Sequence, residues 1–206
     1  MKSVGEFAWL LEFADADERR ANARARAAAA VLKRTRPDGL VDVVPAARSL
    51  LVTGSPAFDV GRLMGLEGSP ALPVRPEVET RSFEIRIVWN GVDLDEVVAA
   101  LGMARAAFQQ TFLDVTFVVG VLGITPGFSY LYGLPRELQL PRRRTPRVSV
   151  PQGSVAMAGP YVGIYPTATP GGWNLLGTTA QRLFDLRGSP PFLLSPGDRV
   201  RFVASW

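Results

Sequence analysis

Hydrophobic and polar positions alternate along Phe83-Glu84-Ile85-Arg86-Ile87-Val88-Trp89. A period of two sends successive side chains to opposite faces, so this segment predicts a strand with one face in a core and the other in water. Asn90-Gly91 closes it with residues that tolerate tight-turn dihedrals. Beyond the turn the period lengthens. Asp93 precedes Leu94, Val97, Val98 and Leu101, the spacing of an amphipathic helix, and Arg105 to Phe112 predicts a second. From Val115 onward short apolar runs are separated by Gly/Pro corners about every eight to twelve residues, the rhythm of a closed or nearly closed β-barrel.

The first part of the chain reads differently. Phe7 to Phe13 is rich in β-formers and runs into Asp15-Ala16-Asp17-Glu18, where Asp15 with Glu18 three residues on resembles a capping box, so a helix is expected from Ala16 to Lys33. Its arginines, Arg19, Arg20, Arg24 and Arg26, are expected on a solvated face. After the Asp38-Gly39 turn signal, Leu40 to Val44 and Ser49 to Thr53 predict two strands, and Ala57 to Leu66 a short helix. This order suggests a small α/β sandwich. Ser69 to Pro76 then reads as a linker, because Pro70, Pro73 and Pro76 disfavour both helix and central strand.

Composition narrows the chemistry. The chain has 206 residues, 47% of them apolar, enough to build one large or two small cores. The formal charge is +4, carried almost wholly by arginine and spread along the chain without a basic module, so a nucleic-acid partner is not expected. Cysteine is absent, which excludes disulfides and thiolate sites and suits a reducing cytoplasm. The apolar run near Val115 to Ile124 is far short of the roughly 20 residues of a membrane span. Histidine is absent too, so Ser-His-Asp triads and imidazole bases are excluded. No G-x-G or Walker-type pattern supplies a phosphate cradle.

What remains is arginine, carboxylate, hydroxyl and backbone chemistry. Arg142-Arg143-Arg144 and Arg147, framed by Pro141 and Pro146, are the candidate anion binders, since guanidinium groups grip carboxylates and phosphates bidentately. Gly127 and Phe128 in Pro126-Gly127-Phe128, and Gly171 and Gly172 in Pro170-Gly171-Gly172-Trp173, can either present backbone N–H groups to an anion or turn barrel corners. Tyr130, Tyr165 and Trp173 are candidates for a partner interface, where aromatic rings are enriched. Asp93, Asp95 and Glu96 sit at a helix start, where carboxylates answer free N–H groups; no metal site is expected.

The corner motifs carry a resemblance. Pro126-Gly127-Phe128-Ser129-Tyr130-Leu131, Pro151-Gln152-Gly153-Ser154-Val155, Gly163-Ile164-Tyr165-Pro166, Pro170-Gly171-Gly172-Trp173 and Pro196-Gly197-Asp198-Arg199-Val200-Arg201-Phe202 resemble the family of KipI, the PxpB component of bacterial 5-oxoprolinase, and allophanate hydrolase subunit 1. The resemblance implies an α+β chain, with a small ferredoxin-like N-terminal domain over 1–76 and a cyclophilin-like β-barrel over 77–206. It implies the small subunit of a 5-oxoprolinase, an ATP-dependent cyclic-amide hydrolase, or of an allophanate-hydrolase-like amidohydrolase, cytoplasmic, inactive alone and paired with a KipA/PxpC-like large subunit and a PxpA-like third subunit. ATP would be the implied cofactor, bound by the complex. The alternative within the family is a non-catalytic KipI-like inhibitor of a histidine kinase. Arg142 and Arg147 match the family's PR...PR pattern. Gln109-Gln110-Thr111-Phe112 lacks the family's histidine, Gly123-Ile124 stands for its GF, Gly91-Val92-Asp93-Leu94 for its GPDL, and Gly177-Thr178-Thr179-Ala180 for its GRTP.

Overall fold

The computed structural model describes residues 1–68 and 80–205. The chain divides into two compact units, Met1–Thr80 and Arg81–Trp206. The expected linker at 69–76 and the expected boundary at 76/77 lie outside the described residues.

In the first unit β1 (Lys2–Gly5) and β2 (Ala8–Glu12) form a hairpin, followed by α1 (Glu18–Thr35), β3 (Leu40–Pro45) and β4 (Ser49–Gly54). The sheet order is β1-β2-β4-β3, antiparallel throughout. Strands β2 and β3 are therefore parallel to each other with β4 between them, a split β-α-β unit. The ferredoxin-like expectation contains this unit. Here, however, the N-terminal β1 takes the edge beside β2, and a single 3-10 turn at Val60–Leu63 stands where the second helix was expected.

Helix α1 forms because alanine, the strongest helix former, fills its middle. Asp17 caps it, accepting from the Arg19 N–H at 2.8 Å, while Asp15 accepts from the Asp17 N–H just upstream. Glu18 in the first turn and Lys33 and Arg34 in the last complement the helix dipole. Ala21, Ala25, Ala28 and Leu32 recur at helical spacing and are buried against β3 and β4. Small side chains there let the helix lie close to the sheet. The arginine face is less free than expected, for Arg24 donates to the Glu67 carbonyl and lies over the Phe13 ring.

The second unit begins with β5 (Ser82–Ile87), α2 (Leu94–Ala100) and α3 (Arg105–Leu113), close to the expected spans. It continues with β6 (Phe117–Leu122), β7 (Ser129–Tyr132), β8 (Arg147–Val150), β9 (Ser154–Ala158), β10 (Tyr161–Ile164), β11 (Thr169–Gly171), β12 (Asn174–Thr178) and β13 (Arg199–Ala204). Seven strands form one sheet in the order β12-β9-β10-β7-β6-β13-β5, in which only β13 and β5 run parallel. The two edges meet. Val88, just past β5, and Thr178, at the end of β12, exchange backbone hydrogen bonds at 2.8 and 2.9 Å, so the sheet nearly closes into a barrel.

Alternation then sorts the side chains. Val155, Met157, Val162, Ile164 and Leu176 point inward to a core shared with Phe108 and Phe112 of α3, Phe117 and Phe202. Fully burying one such ring stabilises the fold by about 1.5–3 kcal/mol. Ala156 and Leu175, the intervening residues, face outward, where Phe128, Val150 and Tyr165 cover them in a second, smaller cluster. The β8–β11 ribbon carries Val150 to this outer layer, pairing Arg147 with Gly171.

Candidate functional site

The outer layer is built around Phe128. Its ring meets Tyr165 at 5.3 Å, Trp173 at 5.5 Å and Tyr130 at 5.2 Å, all edge-to-face, the geometry the ring quadrupole favours. Gly163 of β10 makes room for it, because a Cβ there would lie 2.9 Å from both Phe128 and Trp173. Gly127 has φ +85°, a left-handed turn conformation that lets the chain double back just before Phe128.

Beside this cluster lies a cavity of about 180 Å³ lined by Ile124, Phe128, Arg142, Tyr165, Gly171 and Trp173, with Pro146, Thr169, Pro170 and Gly172 completing the wall. Six residues read from the sequence as site candidates thus come together: Arg142, Phe128, Gly171, Gly172, Tyr165 and Trp173. Arg142 is the one charged side chain in the lining. Tyr165, expected at a partner interface, is only 3% exposed and is a wall of the cavity. Tyr130 and Trp173 are half-buried, Trp173 in the lining and Tyr130 packed against it at the flank. Gly127 lies behind the lining, where a Cβ would sit 2.8 Å from the Phe184 Cβ.

Arg147 has a different place from Arg142. Its Nη2 donates to Asp93 Oδ1 at 2.6 Å, and Arg143 Nη1 donates to the same oxygen at 2.9 Å and to Glu96 Oε2 at 2.9 Å. The other Asp93 oxygen accepts from the Leu175 N–H at 2.8 Å. Asp93 is thus not the side-chain cap of α2 that its position suggested, since it makes no side-chain capping bond there. It is a buried carboxylate, 3% exposed, tying two arginines to β12. The hydrogen bond to Glu96, then the charge of Asp93, raises the Arg143 guanidinium further above its ordinary value. Arg147 Nη1 is buried without a partner.

The backbone of the arginine loop is fastened on both sides of Arg142. Asn174 Nδ2 donates to the Pro141 carbonyl at 3.0 Å, and the Arg143 N–H donates to the Gly172 carbonyl at 2.7 Å. Proline framing adds stiffness, so the loop backbone that carries Arg142 has little freedom left to lose on binding. Two of the amides considered for an anion nest are otherwise engaged. The Phe128 N–H donates to the Thr125 carbonyl at 3.0 Å, and the Trp173 N–H to the Tyr165 hydroxyl. Burial raises the Tyr165 hydroxyl above the usual tyrosine value, with the Trp173 amide and the Arg147 charge pulling the other way; burial raises Tyr130 as well. Both therefore stay protonated at neutral pH and can donate.

Ile124, at the cavity rim, closes the apolar run that begins near Val115, and that run gives no sign of the turn it makes. It has φ +68°, is 74% exposed, and is spanned by a Thr125 N–H to Gly123 carbonyl bond of 2.9 Å, which makes it the centre of a left-handed γ-turn. A β-branched residue rarely adopts that conformation. Among the described residues no group of three or more acidic side chains is arranged to hold a metal ion, and no helix is long and apolar enough to cross a membrane.

Residues 1–194 match the carboxyltransferase domain, subdomains C and D. This chain belongs to the carboxyltransferase domain family. It is 33% identical over 98% of its length to the 5-oxoprolinase B subunit of Bacillus subtilis strain 168, covering 91% of that protein. With the 5-oxoprolinase B subunit of Escherichia coli O157:H7 it shares 48% identity over 62% of its length, spanning 60% of the relative. Among solved structures, TTHA0988 superposes with a TM-score of 0.83 at 40% identity, over 97% of this chain and 40% of that one. The corner motifs that carried the resemblance line the carboxyltransferase-family barrel from Gly127 to the β13 strand, and the Arg142 cavity lies among them.

Proposed function

We propose that this chain is the B-type component of a 5-oxoprolinase, an enzyme that couples ATP hydrolysis to opening of the cyclic amide of 5-oxoproline, and that it works with a KipA/PxpC-like large subunit and a PxpA-like third subunit in the cytoplasm. The observation that carries this reading is the likeness to the Bacillus subtilis 5-oxoprolinase B subunit along 98% of the chain. The cavity gives it chemistry. Arg142 grips the substrate carboxylate through paired N–H donors. Phe128, Tyr165 and Trp173 pack on the small ring, and the protonated Tyr165 hydroxyl can donate to the ring carbonyl.

The lining contains no carboxylate or imidazole to act as a base. This subunit therefore holds and orients the ring, and the reacting groups come from the partner. The same reasoning assigns ATP elsewhere. A nucleoside triphosphate needs several phosphate ligands and more room than about 180 Å³ with one guanidinium provides. Tyr130 and Trp173, half-buried beside one another, are assigned to contact with the large subunit.

The test is 5-oxoproline-dependent ATP hydrolysis by the chain co-expressed with its large and third subunits, against the chain alone. Turnover by the complex only is expected. Arg142→Gln should raise KM for 5-oxoproline about 10- to 100-fold with kcat nearly unchanged, the loss of one charge-assisted hydrogen-bond pair. Turnover by the isolated chain overturns the reading. So does a stable complex that never turns over yet inhibits a histidine kinase, which is the KipI-like alternative.

A further inference from the structure

Four arginines crowd the loop that borders the cavity, yet only Arg142 lines it. The difference lies with Asp93. One oxygen of this buried carboxylate takes Arg147 at 2.6 Å and Arg143 at 2.9 Å, and Glu96 takes Arg143 a second time. Two guanidinium charges beside the cavity are thereby met by two carboxylates. Among the described residues Arg142 forms no ion pair, and Asp93 and Glu96 engage Arg143 and Arg147 instead. The neutralised pair is close enough to matter. Arg147 is paired with Gly171 across the β8–β11 ribbon, the Arg143 amide is bonded to Gly172, both glycines line the cavity, and the charge of Arg147 acts on the Tyr165 hydroxyl.

We propose that Asp93 is a positioning and specificity-determining residue that sets the charge of the cavity, so that the site accepts a singly charged carboxylate in preference to a dianion such as phosphate or a dicarboxylate. This deepens the substrate reading above and rests on it. A monoanion satisfies Arg142 and leaves the Asp93 cluster intact. A dianion brings a second negative charge toward Arg143 and Arg147, which are already paired, and loses its hydration there with no second charged side chain in the lining to meet it. Removing the Asp93 charge frees Arg147, and leaves Arg143 with Glu96 alone, so that Arg147 can serve that second charge.

The experiment titrates the full-length chain with three probes, 5-oxoproline, glutarate and inorganic phosphate, by calorimetry at constant ionic strength. It is done for the wild type, Asp93→Asn and Glu96→Gln. Asn is nearly isosteric and keeps an acceptor for the Leu175 amide; Glu96 is exposed, so its variant keeps the fold should the buried change not. Wild type should prefer 5-oxoproline. Asp93→Asn should shift the ratio of dianion to monoanion affinity roughly tenfold or more toward the dianions, the contribution of one charged hydrogen bond, and Glu96→Gln should shift it the same way by less. A purely structural role would weaken all three probes alike and leave the ratios where they were. Unchanged ratios in both variants, with 5-oxoproline still bound by wild type, overturn this inference and leave the substrate reading standing. Failure of wild type to bind 5-oxoproline overturns both.

Discussion

Gly171 is the position at which the cavity wall has least room. A Cβ built there would stand 2.3 Å from the Tyr165 hydroxyl, 2.9 Å from Cζ and 3.0 Å from Cε1. Tyr165 cannot swing aside, because it is 3% exposed and its ring is held edge-to-face against Phe128 at 5.3 Å. Overpacking of this kind costs about 1–3 kcal/mol, and displacing the hydroxyl from the Trp173 amide adds about 1 kcal/mol. Gly171→Ala should therefore destabilise the chain by about 2–4 kcal/mol, read as a lower urea midpoint at unchanged slope. The decisive comparison is the same change in a Tyr165→Phe background. Phenylalanine removes the atom in closest conflict, so the cost of the added methyl should fall by about 1–2 kcal/mol, a coupling that distant sites do not show. An equal loss in both backgrounds, or none in either, refutes the packing argument for this wall.

Barrel closure predicts intolerance at Gly177, where a Cβ would stand 2.2 Å from the Val88 carbonyl oxygen; Gly177→Ala should cost more than about 3 kcal/mol by thermal unfolding, and a near-neutral result would mean the Val88–Thr178 bridge does not close the sheet. Ile124→Gly should stabilise the isolated chain by about 1 kcal/mol in urea, since it relieves a left-handed β-branched residue that buries little. For α1, Asp17→Ala should cost about 1 kcal/mol. The Arg19 backbone N–H, with the Arg19 charge, holds the Asp17 carboxyl below its ordinary 3.8, so its contribution is present above that value and is lost as pH falls through the lower folded value. Asp17→Asn keeps the acceptor without that dependence, and stability-versus-pH curves of the two proteins should differ only in the acid range.

Much of the fold was legible because its determinants are local. The two-residue period over Phe83 to Trp89 matches β5, and the spacing of Leu94, Val97 and Leu101 matches α2. The corner residues announced the barrel before any strand was paired. What was not legible depends on distant partners. Strand β1 carries the bland sequence Lys2–Gly5, all exposed, and is a strand only because β2 offers an edge to pair with. The cap of α1 moved from Asp15 to Asp17 because both carboxylates suit a cap, and only the chain path decides which one meets a free amide. Over Ala57 to Leu66 the apolar spacing predicts more helix than the one 3-10 turn that forms.

The site shows the same division more sharply. Pattern alone groups Arg142 with Arg147, since both follow proline in the same loop, and groups Asp93 with Asp95 and Glu96, since all three open a helix. The fold regroups them: Asp93, across 50 residues and more, with Arg143, Arg147 and Leu175, and Arg142 with Phe128, Tyr165 and Trp173. Residues that resemble one another in sequence therefore do opposite work, one arginine neutralised by a buried carboxylate while its neighbour remains free for a ligand. One signal for this was present. A carboxylate at a helix start, in a chain with several arginines and no histidine, has stronger partners available than a backbone amide, and burial multiplies that advantage because a charge taken out of water must be paired. The conformation of Ile124 escapes sequence reading for a related reason. An isoleucine at the end of an apolar run reads like its buried neighbours, and its exposed turn conformation, fixed by the Gly123–Thr125 hydrogen bond, is invisible until the backbone is traced.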